Sequence, residues 1–239
     1  MFLKLIVHLS RIFVGAMFVF SGFVKLVDPI GSQYKFEEYF GESVLNLEFL
    51  IPYALPFSIV LIIVEIILGV SLLLGYKPKS TIWSLLGITT LFLFLTWYSA
   101  YYNKVTDCGC FGDAMKGSVG RSLAPSETYW KDIVLVYLLL WIFVAQWKIK
   151  PNTRKENVIY VSTSIIVITF FSWVFGWYFP VFFSLVALFG ALWMLRAGGK
   201  WFGNYYGSAF FVALISLAMA MYVLTYAPLK DYRAYAVGS

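Results

Sequence analysis

Residues 53–75 read YALPFSIVLIIVEIILGVSLLLG, an apolar run broken by one carboxylate, Glu65. As a helix rising 1.5 Å per residue, it is long enough to cross the roughly 30 Å hydrocarbon layer of a bilayer. Six more apolar runs flank it, at about 5–27, 82–100, 133–147, 158–176, 181–195 and 208–226. At ~20 residues per crossing, seven spans use about 140 residues and leave about 100 for ends and loops, too few for a second large domain. Of the 239 residues, 61% are hydrophobic and 13% charged, against roughly half and about a quarter in a soluble domain. A soluble globular protein is excluded. Nine Trp and seventeen Tyr suit a chain with many water–lipid interfaces, where amphipathic rings settle. The reading is an all-α, polytopic transmembrane bundle of about seven helices.

The net charge of +6 acquires meaning when sorted by loop. With the N-terminus inside, the inner segments carry nine bases (Lys4, Lys77, Lys79, Lys148, Lys150, Arg154, Lys155, Arg196, Lys200) against one acid, Glu156. The outer segments carry seven bases and ten acids. Lys and Arg gather on the cytoplasmic side of short loops, so the spans run N-in and C-out. The surplus reports orientation, and no nucleic-acid partner is needed to explain it. The division between the fifth and sixth spans rests on Gly176-Trp-Tyr-Phe-Pro180, whose Gly and Pro are breakers; one long kinked helix is the competing reading. The first run spans fully and lacks a small-residue cleavage site, so it reads as a retained helix. No internal repeat is visible. The polar tail at 228–239 reads as a short extension or the root of a missing domain.

On the first helix, Lys4, His8, Arg11, Gly15, Phe18, Gly22 and Lys25 follow at spacings of three or four and share one face. A charge at mid-bilayer costs ~2.5–3.5 kcal/mol on insertion scales, so Arg11 calls for a partner, and Glu65 on the antiparallel second span is the expected one. Ser58, Ile62, Glu65, Gly69 and Leu72 form the matching stripe there, and small residues on both helices let the backbones approach. The Arg11–Glu65 pair reads as a structural ion pair that sets register or as part of a proton or substrate path, with no direct contact at all as the third reading. His8 reads as an interfacial or packing residue. Ala209, Ala213, Ser216 and Ala220 form a small-residue face on the last span, marking a close helix contact within the chain or with another subunit.

Both cysteines lie in the outward segment Asp107-Cys108-Gly109-Cys110-Phe111-Gly112-Asp113. Thiols separated by one residue close a small ring, so a bridge between them is strained, and strained bridges are the readily reduced ones. Three readings stay open: a redox-active pair, a structural bridge or inert thiols, and a metal site. The last lacks the four ligands zinc or iron–sulfur centres usually take. Asp107 and Asp113 disfavour a thiolate; Lys104 or Lys131 would offset them if within reach.

Several stretches carry a resemblance. Arg11-Ile-Phe-Val-Gly15 through Ser21-Gly22-Phe-Val-Lys25-Leu-Val-Asp28-Pro29 resembles the first helix of DoxX-like membrane proteins. Asp107 to Asp113, followed by Thr128-Tyr-Trp-Lys-Asp132 and a helix, resembles the DoxX/MauE-type members found in Bacteroidota, as do Gly31 to Phe40 and Leu229 to Gly238. The resemblance covers about 1–147 and the tail. It implies a four-helix core, similar in outline to the vitamin K epoxide reductase bundle, in a bacterial inner membrane, with further helices at 148–227. It also implies Cys108 and Cys110 as a redox pair that exchanges with a periplasmic thioredoxin-like protein or domain. Quinone is the electron acceptor that the relatives suggest. The leading expectation is an inner-membrane thiol-disulfide oxidoreductase component. A non-catalytic subunit anchoring an envelope complex through 208–226 is the alternative, and a transporter built on Arg11 and Glu65 the third.

Overall fold

The structure, a computed structural model, describes residues 2–42, 44–102, 125–197 and 205–226. These form eight α-helices: α1 Phe2–Val27, α2 Pro29–Phe40, α3 Ala54–Leu74, α4 Pro78–Tyr102, α5 Pro125–Ala145, α6 Arg154–Val174, α7 Phe179–Arg196 and α8 Tyr205–Tyr226. Single 3-10 segments at Glu48–Tyr53 and Gln146–Lys148 lead into α3 and out of α5. Seven of these stretches, all but α2, are long and apolar enough to cross a membrane, and the chain is a multi-pass helical membrane protein.

The break between the fifth and sixth spans is resolved as two helices. Gly176 sits at φ 67°, a left-handed conformation that costs other residues about 1–2 kcal/mol. The Trp177 N–H donates to Ser172 O at 2.9 Å and the Gly176 N–H to Trp173 O at 3.1 Å, satisfying the last carbonyls of α6 in a Schellman motif. Pro180 then occupies the first turn of α7, where its missing N–H is harmless.

Most helices begin a few residues before their apolar runs, and α5 and α6 show why. At α6 the Thr153 hydroxyl accepts from the Glu156 N–H (3.3 Å), and the Glu156 carboxylate accepts from the Thr153 N–H (2.7 Å), a capping box that adds a polar turn before the apolar run. At α5 the added turns carry Lys131 and Asp132. The segment after α1 also contains α2, which was not expected. Asp28 caps it by accepting from the Gly31 N–H at 2.8 Å, with Pro29 at its start. Its Phe36 and Phe40 pack on Phe57 of α3 at ring separations of 5.0 and 5.8 Å.

The centre of the bundle is α1, which touches α3, α5, α6, α7 and α8 and contributes Val14, Val19, Phe20 and Phe23, all fully buried. Its closest neighbour is α3. A Cβ at Gly69 would stand 3.0 Å from Gly15 O, and one at Gly15 would stand 2.6 Å from Leu73 Cγ. Small residues let the two backbones approach, as the sequence pattern implied. They also fix the stagger: Gly15 faces Gly69 and Leu73, while Gly22 faces Ile62 and Ile66.

Candidate functional site

This stagger overturns the expected pairing of Arg11 with Glu65. In it Arg11 stands opposite Gly75, beyond the end of α3, and Glu65 stands opposite the turn just before Lys25. Arg11 and Lys25 are fourteen residues apart, about 21 Å along α1. Only Lys25 is near enough to Glu65, and its Nζ donates to Oε1 and Oε2 at 2.8 Å each. Lys25 is 8% exposed and Glu65 2%, so neither charge has water to replace its partner. Lys25 shares the sequence stripe with Arg11, and the stagger of α1 against α3 decides between them.

The Lys25–Glu65 pair lines a small cavity enclosed by α1, α3, α4 and α5, together with Ser21, Thr89, Phe92, Lys131 and Asp132. The cavity offers about 30 Å³ to a water-sized sphere, room for about one water. The Asp132 carboxylate is 2% exposed; it accepts from Lys131 Nζ at 3.0 Å and from the Thr96 hydroxyl at 3.2 Å. Lys25 Nζ also stands 4.9 Å from the Phe92 ring centroid, a favourable placement for a cation. Phe92 in turn packs against the Tyr39–Leu95 cluster, so α2 buttresses this wall. Two cations and two carboxylates thus line one cavity with their charges balanced, Lys25 against Glu65 and Lys131 against Asp132.

Its position along the helices gives it interest. Thr96 lies six residues before the end of α4 and Asp132 seven after the start of α5, about 9 and 10 Å of helix. The chain between those two ends, 103–124, carries Asp107, Cys108, Gly109, Cys110, Phe111, Gly112 and Asp113, which lie outside the described residues. The sequence signal for Asp132 is its place beside Lys131, directly before the apolar run at 133–147.

Arg11 serves a second polar cluster at the opposite end of α1. Its Nη1 donates to Tyr160 Oη, and its Nη2 donates to Leu72 O and to Asn152 Oδ1, each at 3.0 Å. Asn152 Nδ2 donates to Leu73 O at 2.7 Å. Tyr160 Oη also shares a hydrogen bond with His8 Nδ1, which gives His8 a packing partner in line with its sequence reading. Arg11 therefore ties the carbonyl end of α3 to α6 and to the segment before it. Cations are favoured beside helix C-terminal carbonyls.

On α8, Ser216 and Ala220 are buried, and Ala209 lines a tight space shared with α3 and Tyr76. Ser208 Oγ donates to Ala191 O of α7 at 2.8 Å. This small-residue face is used inside the chain. Among the described residues no cluster of His, Cys, Asp and Glu has a metal-binding arrangement.

With this geometry in place, comparison with known proteins gives one match. The chain fits the family described as methylamine utilisation protein MauE over residues 3–145, a stretch that ends with α5. No curated protein and no solved structure matches.

Proposed function

Since the chain belongs to the MauE family and crosses the membrane through seven apolar helices, we propose that it is a thiol-disulfide oxidoreductase component of a bacterial inner membrane. In this reading the Cys108–Cys110 disulfide accepts two electrons from a periplasmic thiol protein of thioredoxin-like type. One partner thiolate attacks a sulfur of the bridge, a mixed disulfide forms, and the partner's second thiol resolves it. The partner leaves with a disulfide, and the two electrons and two protons stay on Cys108 and Cys110. Transfer of both to a membrane quinone, giving quinol, would restore the bridge. The division into a 1–147 core with added helices at 148–227 belongs to the same proposal, supported by the end of the family match at residue 145. The narrower DoxX-like placement rests on the motifs quoted above.

The observation that carries the reading is the pair of ion pairs Lys25–Glu65 and Lys131–Asp132 around one cavity, which α1 and α3 share with α4 and α5, the two helices that flank the cysteine segment. These charged side chains stand about two turns of helix from the two ends between which Cys108 and Cys110 lie. An anchoring role through 208–226 has weaker support, because the small face of α8 is occupied within the chain. The test is thiol trapping in intact cells. The expected result is that Cys108 and Cys110 shift between blocked and alkylatable forms on reductant treatment, and that the Cys108→Ser/Cys110→Ser double variant leaves its partner protein reduced. A double variant with full function would remove the proposal.

A further inference from the structure

At the Lys-rich end of the bundle, opposite the cysteine segment, a pocket of about 360 Å³ opens among Lys4, His8, Arg11, Lys148, Lys150 and Glu156. Its volume is in the range of ligand sites, and it is distinct from the cluster below the cysteine segment. Its charge is one-sided: Lys4, Arg11, Lys148 and Lys150 face it against one acid. That acid, Glu156, is engaged by the Thr153 N–H in the capping box of α6. The start of the 21-residue α6 also borders the pocket, and helix N-termini favour anions.

A second observation points to a ligand. Arg11 is 3% exposed, and three of its hydrogen bonds hold the guanidinium rigidly to Tyr160, Leu72 and Asn152. Its Nε–H finds no acceptor among the described residues. A buried donor without an acceptor costs about 1–3 kcal/mol, more when charged, and here it belongs to a group that lines an open basic cavity. The lining also has an apolar side, Leu3, Val7, Ala145 and Ile149. Leu5 and Leu9 of α1 and Trp147 beside it are exposed, with Lys79 Nζ 3.7 Å above the Trp147 ring. An aromatic ring beside a lysine is interfacial chemistry. Cations around an acceptor-seeking guanidinium, next to a lipid-facing apolar wall, describe a receptor for an amphiphile with an anionic head.

We propose that this pocket binds the phosphate headgroup of an anionic phospholipid from the adjoining leaflet, with Arg11 at its base and Lys148 and Lys150 at its mouth. The site joins α1 to the segment between α5 and α6, so a bound lipid would couple the region matched by the family to the helices that follow it. Basic pockets between transmembrane helices on the cytoplasmic side are known lipid-headgroup sites.

The experiment uses the full chain in a neutral detergent, titrated with phosphatidylglycerol or with phosphatidylcholine of the same acyl chains, and read by native mass spectrometry. Phosphatidylglycerol is expected to bind on the order of tenfold more tightly. The Lys148→Gln/Lys150→Gln variant, changed at two exposed positions, should lose most of that preference. Lys155→Gln/Arg196→Gln, on the same end but outside the pocket, should keep it. Equal binding of the two lipids by the parent overturns the proposal. So does an equal loss in both variants, which would mean diffuse surface charge. Displacement of phosphatidylglycerol by millimolar inorganic phosphate would also overturn it, since the site would then take the free anion.

Discussion

Glu65 shows how a single buried residue can depend on its neighbour. The Lys25–Glu65 contact at 2.8 Å has almost no access to water, so removing one partner strands the other. Glu65→Ala is expected to destabilise the protein by about 3–5 kcal/mol, measured as the loss of thermal stability in detergent. The double variant Lys25→Met/Glu65→Leu should recover most of that, because an apolar pair of similar size leaves no stranded charge. If the double variant is as unstable as the single one, the pair does more than balance charge. At Arg11 the deciding contact is the hydroxyl of Tyr160. Tyr160→Phe removes one acceptor from a buried cation and should cost about 1–3 kcal/mol, a difference that equilibrium unfolding would resolve. The residues themselves were legible: Arg11, Glu65 and Lys25 stood out as polar groups in apolar runs. Asn152 and Tyr160 did not, because a polar residue near the end of a span is ordinary until a buried cation is found to need it.

Helix ends account for what was legible at the scale of elements. The Gly176 and Pro180 punctuation acts within a few residues, so it could be read directly. Gly176→Ala should destabilise by roughly 1–2 kcal/mol, since alanine at φ 67° bears the left-handed penalty; an unchanged melting temperature would indicate that the turn relaxes to another form. The capping box at Thr153 and the Asp28-Pro29 start of α2 carry equally local signals, but hydropathy alone passes over them because they precede or lie outside the apolar runs. Thr153→Ala is expected to cost about 1 kcal/mol. The helix contact between Gly15 and Gly69 was anticipated from small residues on both faces. Its stagger was not, because α1 and α3 each present several small positions and pairwise fit selects among them.

For the whole molecule, the charge distribution makes a topological prediction. With the lysine-rich ends cytoplasmic, a fluorescent reporter fused after residue 150 should fold and glow, and an alkaline phosphatase fused after residue 226 should be active. The reverse pattern would invert the bundle and place the cysteine segment in a reducing compartment, where a persistent disulfide is rare. The spans, their breaks and their expected orientation were readable from sequence alone because hydropathy, glycine and proline, and loop charge act over one helix or one loop at a time. Which buried cation meets Glu65, and that Arg11 instead secures the far end of α3, belonged to the tertiary structure. Both depend on the stagger between two antiparallel helices. A shift of a single turn, about 5.4 Å, is enough to break such an ion pair without altering the hydropathy of either helix.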